Sequence, residues 1–220
     1  VHDGSGDKVL GFVTPFPAFE GTPSVAMADV SGDNVLDLIV GTGPGVAPEV
    51  VAYSGTDGGQ GPFSSELARF TPFDPGFRGG VSVAGADVDG NPSTDNIIVG
   101  SGPGTESRVT VFSSALPKVG DTPETFSTFT PYPGSRSGVT LATGTVDIGT
   151  GRPSIVTAPG PGEPAQVKTF RYDLYTPTEA AKARGATDEH SHDPAMTSQF
   201  DAYDPSYTGG YSPTAAVPGV

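Results

Sequence analysis

The chain has 220 residues, among them 32 Gly and 23 Pro, with 25 acidic against 11 basic side chains and no Cys. A formal charge of −14 excludes an electrostatic grip on nucleic acid, which needs clustered Lys and Arg. The missing Cys excludes disulfide staples, thiolate metal sites and cysteine nucleophiles, and no apolar run approaches the ~20 residues that cross a bilayer as a helix.

In chain order, Val1-His2-Asp3-Gly4 matches the finish of a strand that recurs later, so residues 1–12 read as the end of a preceding repeat. A first full repeat, 13–69, opens on the aromatic and proline segment Thr14-Pro15-Phe16. Pro23-Ser24-Val25-Ala26 then reads as an imperfect alternating strand. An acidic loop follows, then the strand Leu38-Ile39-Val40, the turn Gly41-Thr42-Gly43-Pro44-Gly45 and a third strand ending at Tyr53. The second repeat, 70–128, repeats each part: Thr71-Pro72-Phe73, Val81-Ser82-Val83-Ala84, a second acidic loop, Asn96-Ile97-Ile98-Val99, the turn 100–104, and Val109-Thr110-Val111-Phe112. The third, 129–199, gives Thr130-Pro131-Tyr132, Val139-Thr140-Leu141-Ala142, the turn Ala158-Pro159-Gly160-Pro161-Gly162 and a strand ending at Phe170.

Phe129 to Phe200 spans 71 residues where other repeats take 58 or 59, so an insertion is placed at 175–198. It carries the signals of one short helix: Thr176 as N-cap, Pro177 at the first helical position, Glu179 completing a capping box and Gly185 past the end. Residues 200–220 open a fourth repeat, since Phe200 to Gly210 copies Phe70 to Gly80 without a gap. Short strands bounded by turn residues, at a fixed period of 58 or 59, predict an all-β fold of β-propeller blades. Each blade is a four-stranded antiparallel sheet if the aromatic segment supplies the fourth strand. A chain that enters and leaves inside repeats either closes a ring by pairing its ends or is a window onto a longer protein, and the window is the expected reading.

The two acidic loops carry the chemistry. Oxygen-bearing side chains at loop positions 1, 3, 5 and 9 let one tight turn wrap a hard cation such as calcium. The first loop offers Asp29, Ser31, Asp33 and Asp37 with the Val35 carbonyl; the second offers Asp87, Asp89, Asn91 and Asp95 with the Ser93 carbonyl. An EF-hand closes with a bidentate Glu at position 12 and runs into a helix, whereas position 12 here is Val40 or Ile98 inside a strand. The ion would therefore clip a strand-to-strand turn. The competing reading is an Asx-rich turn held without metal. In the third repeat the same offset finds Thr145, Asp147, Gly149, Gly151 and Pro153, and with Asp147 alone surviving that loop is expected to bind nothing. Low-affinity calcium loops suit an extracellular or periplasmic setting.

The acidic loops at 29–37 and 87–95, the Leu38-Ile39-Val40-Gly41 strand and the turns Phe77–Gly80 and Tyr207–Gly210 resemble FG-GAP or VCBS-type repeats, as in integrin-alpha-like propellers. The resemblance covers the chain except for about 175–198. It implies calcium between the first two strands of a blade and a ring that presents loops to proteins or glycans.

Other constellations are weaker. The Gly-x-Gly-Pro-Gly turns lack the spacing and following helix of a phosphate loop. His190 and His192, near Asp188, Glu189 and Asp193, could ligate zinc or copper, but two imidazoles without a third partner read more simply as solvated surface. No Gly-x-Ser-x-Gly turn supports a triad, so no catalytic residue is assigned. Phe16, Phe73, Tyr132 and Tyr203 could stack on sugars, although core packing is the simpler role. The function expected from sequence is a non-enzymatic calcium-binding scaffold for a protein or glycan partner, possibly one subunit of a larger assembly. The alternative is a calcium-dependent polysaccharide lyase or hydrolase.

Overall fold

A computed structural model describes residues 13–56, 61–113, 115–116, 121–146, 151–172, 193–204, 206 and 208–209. The predicted strand-end match at 1–4, the helix at 176–185, His190, His192 and Asp147 lie outside these residues. Twelve strands form three four-stranded antiparallel sheets, each with its strands in sequence order. The first sheet is β1 (Ser24–Ala28), β2 (Asp37–Gly41), β3 (Val50–Tyr53) and β4 (Glu66–Phe70). The second is β5 (Val81–Ala86), β6 (Asn96–Ser101), β7 (Val109–Phe112) and β8 (Thr125–Phe129), and the third is β9 (Val139–Gly144), β10 (Ser154–Pro159), β11 (Gln166–Arg171) and β12 (Ala195–Asp201). Among the described residues there is no helix and no closed ring.

One expectation needs correcting. The fourth strand of each sheet comes from the residues before the aromatic and proline segment: Phe70 pairs with Val50, Phe129 with Val109 and Phe200 with Val167. Thr71-Pro72-Phe73 and Thr130-Pro131-Tyr132 are connections to the next sheet. Proline has no N–H to give a ladder, so the chain leaves the sheet just before it. Phe70 and Phe129 thus close a sheet where they were read as opening one, and Phe200 belongs to the third sheet.

The second strand of every sheet is buried along its whole length, as its near-continuous apolar sequence requires. The first strands stack in series, β1 against β5 and β5 against β9. Between the first two sheets lies one core cluster, in which Ile39, Val50, Ala52 and Phe70 meet Val81, Val83, Ile97 and Phe112. Between the second and third lies another, in which Ile98, Val109 and Val111 meet Val139, Leu141, Ile155 and Phe170. Edge contacts between Phe70 and Phe112, centroids 4.8 Å apart, tie the outer part of the first interface.

At the β2–β3 end, consecutive sheets are joined backbone to backbone. Gly45 N donates to Arg78 O at 2.8 Å and Gly104 N to Arg136 O at 3.0 Å, and the equivalent bond from Gly162 N to Thr208 O at 2.8 Å ties the third sheet to the segment after β12. Beside these bonds, at Gly80 and Gly138, the backbones approach too closely for side chains. Gly138 adopts φ +89°, and a Cβ there would lie 2.8 Å from the Gly102 carbonyl carbon of the preceding repeat's turn. Gly138→Ala should therefore cost about 2–4 kcal/mol in urea unfolding, from left-handed strain plus overpacking. Gly104→Ala, at a position with nothing within 4 Å, should cost only about 1 kcal/mol of backbone strain.

Candidate functional site at the acidic loops

The acidic loops connect first and second strands at the opposite end of the sheets. Each starts with an aspartate followed by a buried valine, Val30 or Val88, that plugs into the core and fixes where the loop begins. In the first loop the chain curls around Asp29. Its Oδ1 accepts from Gly32 N at 2.7 Å and Asp33 N at 3.2 Å, and its Oδ2 from Asn34 N at 2.8 Å. Asn34 takes φ +62° to close that curl. Asp37, the first residue of β2, is fully buried. Its Oδ2 accepts from Val30 N at 3.0 Å and Ser31 N at 2.9 Å, while its Oδ1 accepts from Gly55 N at 2.9 Å. Burial pushes the Asp37 pKa up against the pull of these donors.

Asp33 sits on the exposed rim, where Thr56 Oγ1 and Val35 N donate to it and hold its pKa below the usual carboxylate range. The Ser31 hydroxyl interacts with both Asp33 and Asp37. Ser31, Asp33 and Asp37 thus meet at the loop mouth, with exposed Val35 beside them and Asp29 held on the inner side by backbone donors. Among the described residues no three Asp, Glu or His side chains converge closely enough to form a ready metal cage.

The second loop differs in register. Asn96, the first residue of β6 and fully buried, takes the place of Asp37: its Oδ1 accepts from Val88 N at 3.0 Å and Asp89 N at 3.2 Å. Its Nδ2 donates to Asp89 Oδ2 at 2.8 Å and to the Phe112 carbonyl at 2.9 Å. Asp95, counted from sequence as the ninth position, turns toward the first loop. Asp29 N donates to Asp95 Oδ2 at 2.9 Å and Asp95 N donates to Asp29 O at 2.7 Å, so the two loops are docked to each other. The Ser93 carbonyl lies against Gly32 in the same contact. Burial raises the Asp95 pKa, and the charges of Asp29 and Asp87 raise it further. Asp87 accepts from Gly90 N at 2.8 Å, Asp89 from Asn91 N at 3.0 Å, and Asn91 Nδ2 donates to Thr94 Oγ1 at 2.8 Å. In the third sheet the corresponding first residue of β10 is Ser154, buried with its hydroxyl unpaired.

Of the aromatics, Tyr132 is core: its hydroxyl lies 2.8 Å from the carbonyls of Thr157 and Gln166, and Lys168 Nζ sits 4.7 Å above its ring. Phe73 packs partly on the first core and Phe16 on a smaller cluster with Leu38 and Val40. Tyr203 is 56% exposed.

Asp37→Ala leaves three N–H groups without their acceptor and should cost about 2–4 kcal/mol at neutral pH. Because the folded Asp37, Asp87 and Asp95 pKa values are all raised, the folded state holds more protons than the unfolded chain. In calcium-free buffer, stability should therefore rise as pH falls from neutral through those raised values toward the ordinary range near 4, and Asp37→Ala should flatten that rise. Urea midpoints across pH check both.

No protein-family model matches the chain, and no curated protein does. Among solved structures, the chain is similar to an exotype rhamnogalacturonan lyase, YesX, at TM-score 0.52 and 16% identity, over 92% of this chain and 37% of that one. A Bacillus licheniformis rhamnogalacturonan lyase, PL11, is similar at TM-score 0.48 and 14% identity, over 83% of this chain and 34% of that one. The chain spans about a third of the length of these structures, and the likeness to YesX is one of all-β fold.

Proposed function

We propose that the chain is a segment of a protein acting on acidic polysaccharide, of polysaccharide-lyase type, and that it contributes a rigid stack of propeller blades and a polar loop end to that protein. The observation that carries this reading is the fold shared with YesX over nearly the whole chain. Lyase chemistry on a uronate sugar removes the proton beside the carboxylate, breaks the adjoining C–O bond to the leaving sugar and forms a C=C bond. It needs a base and a partner for the carboxylate. The described residues bring together no acid–base pair suited to that step, so the part assigned to this chain is substrate binding and support. Affinity electrophoresis of the 220-residue chain in gels containing rhamnogalacturonan checks it: migration should slow relative to gels containing neutral galactan. Equal migration in both would contradict the reading.

A second reading, a calcium-binding scaffold for an extracellular protein or glycan, is favoured by one observation: Ser31, Asp33 and Asp37 meet at the mouth of the first loop. There Asp29, Ser31, Asp33, Asp37 and the Val35 carbonyl would hold the ion, and a divalent charge would offset the repulsion between Asp33 and Asp37. The second loop, with Asn96 at the position of Asp37 and Asp95 turned away, is the weaker candidate. Millimolar calcium should raise the melting temperature by several degrees over a chelated sample, and Asp33→Asn should remove most of that gain. A melt indifferent to calcium would contradict a structural ion.

A further inference from the structure

Each aromatic and proline segment closes a tight turn with the same backbone bond: Phe19 N donates to Phe16 O at 3.0 Å, Phe77 N to Asp74 O at 2.9 Å and Ser135 N to Tyr132 O at 3.1 Å. In the first two repeats the donor residue is an aromatic packed edge-on against a neighbour, Phe19 on Phe16 with centroids 6.3 Å apart and Phe77 on Phe73 with centroids 6.1 Å apart. In the third repeat it is Ser135, and the space of a ring is open. The cavity there holds about 450 Å³ and is walled by Tyr132, Ser135, Glu163, Pro164, Gln166 and Lys168, against about 280 Å³ at the corresponding place in the first repeat. Two further substitutions change its charge. Counted from the equivalent glycines 45, 104 and 162, Lys168 stands where β3 has Val51 and β7 has Thr110, and Gln166 stands where the first repeat has Glu49. The first cavity also has a cation, Arg69, which reaches the Pro15 carbonyl and is neutralised by Glu49 at 2.7 Å and Glu66 at 2.8 Å. Lys168 Nζ reaches the equivalent Pro131 carbonyl at 2.9 Å and lies 4.7 Å above the Tyr132 ring, but among the described residues no carboxylate lies within 4.0 Å of it. An ammonium has three N–H donors and the carbonyl takes one. Burial pushes the Lys168 pKa down, and an anion beside it would offset that cost.

We infer that this cavity of the third repeat binds one uronate residue of an acidic polysaccharide, its carboxylate on the Lys168 ammonium and the Gln166 side-chain amide and its hydroxyls on Glu163. A charge-assisted bond from ammonium to carboxylate is the strong contact of the set. Gln166 in the place of Glu49 removes the carboxylate that would compete for the cation and supplies N–H donors in its stead. Glu163 decides between anions: it would repel a doubly charged phosphate, whereas a sugar acid offers it hydroxyl donors on the ring that carries the single charge. The volume falls in the range of small-molecule sites. Pro133, Pro159 and Pro164 stiffen the walls, so little order is lost on binding. The choice of a uronate rests on the polysaccharide reading above; the open ring space and the cation without a carboxylate do not depend on it.

Isothermal titration of the full chain with trigalacturonate, its methyl ester and neutral galactotriose tests the site, with calcium chelated so that loop metal plays no part. Trigalacturonate should bind, and the ester and the neutral sugar should bind about ten-fold or more weakly. Lys168→Met should weaken trigalacturonate by a similar factor. Because Lys168 also covers Tyr132, two variants that keep it carry the test: Ser135→Phe refills the space as in the first two repeats, and Gln166→Glu restores the carboxylate of the first. Each should weaken trigalacturonate about five-fold or more, while Arg108→Gln, a loss of positive charge elsewhere, should leave it unchanged. Binding that survives either Ser135→Phe or Gln166→Glu, or that falls equally with Arg108→Gln, overturns the site and leaves the polysaccharide reading standing. Displacement of trigalacturonate by an equal concentration of inorganic phosphate overturns the uronate as its ligand. No binding of trigalacturonate by a chain that rhamnogalacturonan gels retard overturns the site alone; no binding in either experiment overturns both.

Discussion

Where one sheet joins the next, backbone meets backbone. The bonds from Gly45 to Arg78 and from Gly104 to Arg136 lie beside main-chain contacts closer than side chains permit, at Gly80 against Gly43 and Pro44 and at Gly138 against Gly102. That closeness sets the spacing of the sheets, and the spacing sets what fits between them: small residues such as Gly41, Gly85 and Gly100 on the inner strands, and larger ones such as Phe70, Phe112, Phe129 and Phe170 farther out. The inward taper follows. Fixed at the turn end, the sheets present their acidic loops side by side at the other end, close enough for Asp29 and Asp95 to bond across the interface. The loop end is therefore rigid for a reason that lies at the opposite end of the molecule.

At the start of each second strand, one structural position carries three chemistries. Asp37, Asn96 and Ser154 are all buried there, and each is the first residue after its loop. Asp37 accepts three backbone N–H bonds, Asn96 accepts two and donates two, and the Ser154 hydroxyl has no partner. Charge at this position falls across the repeats while the strand that follows it hardly changes. What each loop can hold is decided by that residue and its register.

Much of the fold was legible in the sequence because strand and turn signals reinforce each other. Alternation in Val81-Ser82-Val83, continuous apolar runs such as Ile97-Ile98-Val99 and the Gly-Pro-Gly turns each have a local cause, and their common period multiplies the signal. The fourth strands were misplaced because Glu66–Phe70 and Thr125–Phe129 are partly exposed edge segments of mixed composition, overshadowed by the aromatic and proline segment that follows. In the site, the register of the second loop was misread by counting forward from Asp87. Counting back from Gly41 and Gly100, which align the two buried strands, would have put Asn96 opposite Asp37. The docking of Asp95 on Asp29 and the grouping of Arg152 with Asp87 join residues more than sixty positions apart, and no local pattern announces them.

Native-state hydrogen exchange tests most directly whether the sheets form one body clamped at both ends. The amides of Gly45, Gly104 and Gly162 at the turn end, and of Asp29 and Asp95 at the loop end, lie in connecting segments that would exchange rapidly if the sheets moved independently. The account predicts protection at all five comparable to that of the buried amides of Ile39 and Ile98. Rapid exchange at these five amides while β2 and β6 stay protected would contradict it.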